Sequence, residues 1–383
     1  MRRTTQPASR ILPACAAILL LAAPAFAARD RDTLTPEAWD RMVHEAGLDP
    51  AAVDNPLGFS EEMTAFASDI AGVGDERERL LRLQRHLFDR SKSTFEYEEQ
   101  VTLTAREAFE TRRGNCVSFT NLFVGLARSI GIGAQAVMFH RRSSLDVEGD
   151  LQIFNTHLAA GYRIGNRALV FDFFNLQSER EFGFSLLDDR SHAGIYFSNR
   201  GTDVLRAGDI DGALHWLELA TRIAPGLGAA WGNLGVARRR SGDVDGAIEA
   251  HLFALELEPY EHRALANLRQ TVDDWTDRYL EDRGWTAADV PNDTAEGLTV
   301  AALRTIADGY THRGCRIARE ASKLDPASGE AWTARAMCLL VRGKNRAAQR
   351  KLATAVVADP DCVEAGRLAE AVDDLMAIDR KTR

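Results

Sequence analysis

Four prolines in the C-terminal half, Pro225, Pro259, Pro326 and Pro360, occupy one place in a repeated pattern that constrains the fold more than any other feature of the chain. Five residues before each stands an alanine: Ala220, Ala254, Ala321 and Ala355. Twelve before come Ala213, Ala247, Gly314 and Ala348, and seventeen before come Gly208, Gly242, Gly309 and Gly343. Twenty-eight before are Phe197, Trp231, Leu298 and Trp332. The first two prolines are 34 residues apart, as are the last two. Small residues at these offsets let two helices of a hairpin approach closely, and the large apolar residue plugs the gap to the neighbouring hairpin. Such a period means a stack of units, each burying its apolar face against the next.

The spacing and residue classes resemble tetratricopeptide repeats, with copies at about 194–227, 228–261, 295–328 and 329–362. The third copy is degenerate. Between the second and third, residues 262–283 read as one helix with Leu265, Leu268, Val272, Trp275 and Tyr279 on a face, followed by a loop around Pro291 and Asn292. The array is therefore expected as two pairs of repeats with an irregular joint, closed by a capping helix at 363–378. The resemblance implies a protein or peptide partner on a concave face. Trp216 and His251 flank or replace expected positions and read as packing or surface variation, not as ligands.

The N-terminal half is centred on Arg112–Phe139, RRGNCVSFTNLFVGLARSIGIGAQAVMF. Phe119, Leu122, Phe123, Leu126, Ala127 and Ile130 fall at steps of three and four, the apolar stripe of a helix packed on a core. Asn115 is a good N-cap and Gly131 a good stop, so Cys116 becomes the first helical residue. A thiol there meets the positive end of the helix dipole, with Arg112 and Arg113 nearby, and its nucleophilic thiolate is favoured. The plain alternative is a small buried hydrophobe in a capped helix.

Residues 151–163 and 167–174 are rich in aliphatic and aromatic residues and flank a hairpin-type turn, Ile164-Gly165-Asn166-Arg167. If Gly165 and Asn166 form a two-residue turn, Ile164 pairs with Arg167 and His157 comes opposite Phe174. Asp172 then shares a face with His157 as a diagonal neighbour. A three-residue turn breaks this, because a one-residue slip flips every side chain of a strand.

A cysteine at a helix start, a histidine on one strand and an acid on the next resemble the transglutaminase-like superfamily. The elements that carry the likeness are GNC at 114–116, a following apolar helix ending in a Gly-Ile pair, NTH at 155–157 and FDFFN at 171–175, within roughly residues 75–185. The resemblance implies Cys116 as nucleophile, His157 as base and Asp172 as the acid that orients it. Ala159 and Phe173 stand where many members carry an aromatic residue and a proline. The backbone amide of Cys116 is one expected oxyanion donor, and Tyr97 is a candidate for the other.

Residues 1–27 read as a secretory signal: Arg2, Arg3 and Arg10, an apolar run from Ile11 to Ala23, and the cleavage site Ala25-Phe26-Ala27. LPAC at 12–15 imitates a lipoprotein box, but the apolar run follows Cys15, so a lipid anchor is rejected. The run also falls short of the roughly 20 residues that a membrane span needs. The localisation expected is periplasmic or secreted. Loss of the three arginines takes the formal charge from -9 to -12, which argues against nucleic acid as a partner. The mature chain keeps Cys116, Cys315, Cys338 and Cys362 where disulfides persist. A bridge among the last three, such as Cys315 with Cys338, is open from sequence. With no CxxC pair and no HExxH, no metal or cofactor is expected.

Residues 34–112 look helical, with one helix around Leu80, Leu81, Leu83 and Leu87 and another from Ala105 to Thr111. The polar segment 141–150 reads as an exposed loop, and Arg141 and Arg142 as solvated charge. The fold expected is an α+β papain/transglutaminase-like domain at 28–190, its cysteine helix packed on an antiparallel sheet, followed by an all-α repeat solenoid at 191–383. The function expected is an exported thiol enzyme acting on amide bonds through a Cys116 thioester, with repeats that bind a protein partner. The alternative is a non-catalytic envelope adaptor that works through the repeats.

Overall fold

The computed structural model describes residues 18–22, 36–88, 95–139, 147–148, 151–152, 157–165, 167–171, 173, 183–258 and 262–382. The chain divides into two compact units, one comprising Met1–Arg142 and Thr156–His192, the other Ser143–Asn155 and Ala193–Arg383.

In the first unit, α1 (Pro36–Glu45), α2 (Glu61–Ala71), α3 (Glu76–Phe88) and α4 (Ala105–Thr111) precede α5 (Cys116–Ser129). The short strands β2 (Glu96–Tyr97) and β3 (Arg113–Gly114) flank α4 and pair in parallel. The main sheet is antiparallel, in the order β1 (Ile18–Ala22), β8 (Arg167–Phe171), β7 (Leu158–Ile164), β4 (Gln135–Phe139) and β9 (Phe184–Leu186). Helix α5 lies between sheet and helices because its apolar stripe is wide. Phe119, Leu122, Phe123, Leu126 and Ala127 are buried in one cluster with Met63, Leu80 and Leu83 from the helices and Ala160, Leu169 and Phe171 from the sheet. The other sheet face carries Val137, Phe139, Ala159, Ala168, Val170 and Phe184. In the last turn of α5, Arg128 makes a buried two-pronged ion pair with Asp189 at 2.7 and 2.9 Å.

Ile164 pairs with Arg167 and Ala160 with Phe171, the register of a two-residue turn. The segment Ile18–Ala22, expected to lie outside the fold, instead pairs along β8 as the outer strand. An apolar run of this length has the right character to cover an open sheet edge, and among the described residues no other strand pairs with β8 on that side. Within 141–150, expected as loop, Val147–Glu148 (β5) pairs with Leu151–Gln152 (β6).

The second unit is helical. After α6 (Asp189–Arg206), which crosses the boundary, come α7 (Ile210–Ile223), α8 (Gly228–Arg240), α9 (Val244–Leu257), α10 (His262–Glu281), α11 (Ala295–Ala307), α12 (Thr311–Leu324), α13 (Gly329–Leu340), α14 (Asn345–Ala358) and α15 (Val363–Thr382). The glycines at the repeated position end the first helix of each hairpin: Gly208, Gly242, Gly309 and Gly343 all take positive φ, between 64 and 89°. The alanines five and twelve residues before the prolines are buried, as the close approach of paired helices requires. Trp231 stacks on Phe253 at 4.5 Å and donates its Nε1–H to the Pro225 carbonyl, and Trp332 donates likewise to Pro326. Cys315 on α12 and Cys338 on α13 form a disulfide, while Cys116 and Cys362 are free. Among the described residues no helix is long and apolar enough to cross a membrane.

Candidate active site

Cys116 is the first residue of α5, as its neighbours dictate. The Asn115 side chain accepts from the Ser118 amide at 3.1 Å, and the Ser118 hydroxyl oxygen accepts from the Asn115 amide at 3.3 Å, a reciprocal cap. Gly114 has φ 145°, and a Cβ there would stand 2.4 Å from that of Ser118, so Gly-Asn-Cys is a steric unit. The hydroxyl of Ser118 also accepts from the Leu103 amide at 2.8 Å and donates to the Val101 carbonyl at 2.9 Å. Asn115 Nδ2 donates to the buried Thr102 hydroxyl at 2.8 Å. Residues 99–103 are thereby tied to the helix start, which holds the thiol in one position. Position 118 was not singled out from sequence; a small hydroxyl three residues after an N-cap is the signal that marks it.

Cys116 is a free, partly exposed thiol. Arg113 turns to Glu98 at 3.5 Å, and both side chains are solvated. Tyr97 comes beside the thiol because β2 and β3 pair Tyr97 with Gly114. Its ring lies 6.4 Å from that of Phe119, one turn into the helix. Burial first, then the charges of Cys116 and Glu99, push the Tyr97 hydroxyl above its ordinary range, so it stays a protonated donor at neutral pH.

His157 precedes β7; the residue is partly exposed but its Nε2 is buried, and its ring stacks on Phe139 at 5.7 Å between centroids. Phe139 belongs to the sheet face away from α5. Asp172 lies outside the described residues. Phe119 and Phe173 are 6.5 Å apart, so the start of α5 lies at the same end of the sheet as the start of β7. Cys116 and His157 thus lie at one end of the helix–sheet pair, with the His157 ring packed on Phe139, which belongs to the sheet face away from α5. At that end Phe88, Phe95, Phe119 and Phe173 form an aromatic cluster.

Residues 64–168 match the family model of the transglutaminase-like superfamily. This segment is similar to transglutaminase-like domains. The match includes Cys116 and His157 and ends at Ala168, before Asp172. No curated protein matches the chain. Among solved structures, YrrB, described as a TPR protein with an unusual peptide-binding site, is 14% identical over 46% of this chain and 92% of its own, with TM-score 0.22. The thermophilic TPR protein TTC0263 from Thermus thermophilus is 17% identical over 47% of this chain and 98% of its own, with TM-score 0.23. The TPR2AB domain of yeast Sti1, solved with pHSP90, is 19% identical over 48% of this chain and 75% of its own, with TM-score 0.22. At these identities the repeat assignment rests on the chain's own hairpins, turn glycines and tryptophan contacts.

The repeat unit holds a groove of about 380 Å³ bounded by α9, α10, α13 and α15. Asp243, Asp245, Glu249, Glu364, Glu370 and Asp374 line it, with Arg367 as the cation. Arg367 and Arg278 are both ion-paired to Asp245, at 2.7 and 2.8 Å, and Arg238 to Glu249 at 3.0 Å, so Asp243, Glu364, Glu370 and Asp374 give the groove a negative field.

Proposed function

We propose that the protein is an exported thiol enzyme that acts on amide bonds, with the repeat array recruiting a protein or peptide partner. The observation that carries the reading is the capped helix start that presents a free Cys116 thiol beside Tyr97, at the end of the sheet where His157 lies. In the proposed reaction His157 takes the Cys116 proton, and the thiolate attacks the amide carbonyl carbon. The tetrahedral oxyanion is met by the Cys116 amide and the Tyr97 hydroxyl. The C–N bond then breaks, and the amine leaves with the proton from His157. Water or a second amine attacks the thioester and releases the thiol. Asp172 orients the imidazole in this scheme.

The acidic groove of the repeat unit suits a peptide rich in lysine or arginine. The leader composition and the Cys315–Cys338 bridge support export to an oxidising compartment. Cleavage after Ala27 would also remove β1 and leave β8 as the outer strand. An intact mass starting at Ala28 tests this step, and retention of residues 1–27 in the exported protein overturns it.

The deciding experiment is iodoacetamide labelling of the purified protein against pH, with Cys116→Ala and His157→Ala beside it. Labelling of Cys116 well below the usual thiol pKa of roughly 8.5, lost without His157, supports the enzyme. Labelling indifferent to His157 removes the catalytic reading and leaves the repeats as the working part, as in a non-catalytic adaptor.

A further inference from the structure

Outside the candidate active site, the repeat unit gathers a second group of chemically able side chains. Glu330 in the first turn of α13, and Asp359 and Cys362 between α14 and α15, place a carboxylate oxygen, a second carboxylate oxygen and Sγ all within 4.8 Å of one another. Cys362 is a buried free thiol, and the Glu364 carboxylate stands 3.8 Å from its sulfur. Gly329 makes the approach sterically feasible, since a Cβ there would stand 3.1 Å from that sulfur. Arg283 at 2.8 Å and the Ser328 hydroxyl at 3.0 Å each donate to one oxygen of Glu330 and fix its orientation. Three carboxylates against one guanidinium leave the pocket negative.

Tyr279 on α10 is the independent observation. It is 3% exposed, and its hydroxyl is buried with no hydrogen-bond partner among the described residues. The Arg283 guanidinium that donates to Glu330 also lies over the Tyr279 ring, 3.6 Å from its centroid, which sets the ring beside this pocket. A buried hydroxyl without a partner is costly, so it marks a place where a further atom belongs.

We propose that Glu330, Asp359 and Cys362 form a binding site for a thiophilic divalent cation, zinc by its donor set, with the buried Tyr279 beside it. Calcium and magnesium take oxygen ligands and leave sulfur unused, whereas zinc accepts thiolate and carboxylate together. Binding displaces the Cys362 proton to solvent, and the resulting thiolate and two carboxylates neutralise the ion. The Glu330 contacts to Arg283 and Ser328 are the outer-shell partners such a site needs. The cation would join the start of α13 to the α14–α15 loop, and so fasten the last hairpin to its neighbour.

The test is zinc binding to the full chain carrying Cys15→Ala and Cys116→Ala, in which Cys362 is the one free thiol because Cys315 and Cys338 are bridged. One equivalent of zinc is expected, with cobalt substitution giving a thiolate-to-cobalt charge-transfer band. Added Cys362→Ser should abolish that band and weaken zinc binding at least about a hundredfold, the upper end of what outer-shell losses produce. Asp359→Asn, at a less buried position, serves as a second variant and should also weaken binding while circular dichroism shows the fold retained. Zinc should raise the melting temperature of the parent and of neither variant. Absence of saturable uptake by the parent, or uptake of one equivalent that persists with Cys362→Ser, overturns the site.

Discussion

Tyr97 and Gly114 pair in register between two short parallel strands, and this pairing sets a phenol beside a thiol that lies nineteen positions further along the chain. If the phenol donates to the oxyanion, Tyr97→Phe should lower kcat by about 10²–10³, the usual cost of one oxyanion donor, with KM little changed. Iodoacetamide labelling of Cys116 should survive in that variant, because alkylation makes no oxyanion. A Tyr97→Phe variant that turns over substrate as fast as the parent would exclude the role.

Ser118 is bonded to Leu103, Val101 and Asn115 within the buried floor of the site. Ser118→Ala leaves the Leu103 amide and Val101 carbonyl without that partner, and should destabilise the first unit by about 1–3 kcal/mol in denaturant unfolding. Asn115→Ala removes the other half of the cap and should cost about 1 kcal/mol or more. Stabilities equal to the parent would show that the loop before α5 is held by other contacts.

His251 and His192 are fully buried, and burial is the main cause that lowers them, to about 3 and about 4. Arg239 lowers His251 further, while Asp189 acts against the shift at His192. Unfolding returns each to an ordinary value near 6.5, so between pH 6.5 and about 4 the unfolded chain binds protons the folded chain does not. The stability these groups contribute is therefore fully present above pH 6.5 and falls as the pH drops, by up to roughly 1.4 kcal/mol per pH unit for each histidine. His251→Gln should flatten the acid limb of a melting-temperature profile. An unchanged acid limb would assign it to carboxylates instead.

The Cys315–Cys338 bridge joins helices of adjacent hairpins across 23 residues. Cys315→Ser with Cys338→Ser should lower the stability of the repeat unit by roughly 2–4 kcal/mol, seen as a lower melting temperature that no longer responds to reductant. A parent protein whose melting temperature is equally indifferent to reductant would mean that the bridge does not limit unfolding.

Phe139 stacks on His157 and fixes the plane of its ring. Phe139→Ala should cost about 3–5 kcal/mol of stability as a core truncation, whereas Phe139→Leu keeps most of the volume and loses only the stacking. With Phe139→Leu the pH profile of Cys116 labelling should shift toward that of His157→Ala. A profile identical to the parent would separate the ring's position from the thiol's reactivity.

Much of this was legible along the chain because it is local. The repeat offsets follow from helix geometry, so the hairpins, their turn glycines and the tryptophan plugs lie where the spacing puts them. Asn115, Cys116 and Gly131 bound α5 for the same reason, since a cap and its helix are neighbours in sequence. The Ile164–Arg167 pairing followed from the turn, whose length alone sets the register. What only the tertiary structure decided are meetings between distant segments: Tyr97 with the start of α5, Ser118 with residues 101–103, Arg283 with Tyr279 and Glu330, and Glu330 with Cys362. The place of Ile18–Ala22 along β8 is of the same kind. Sequence spacing carries the period of a helix or strand, but which side chains of separate elements share a pocket depends on packing angles and on the edges left open, and these arise only when the whole chain is folded.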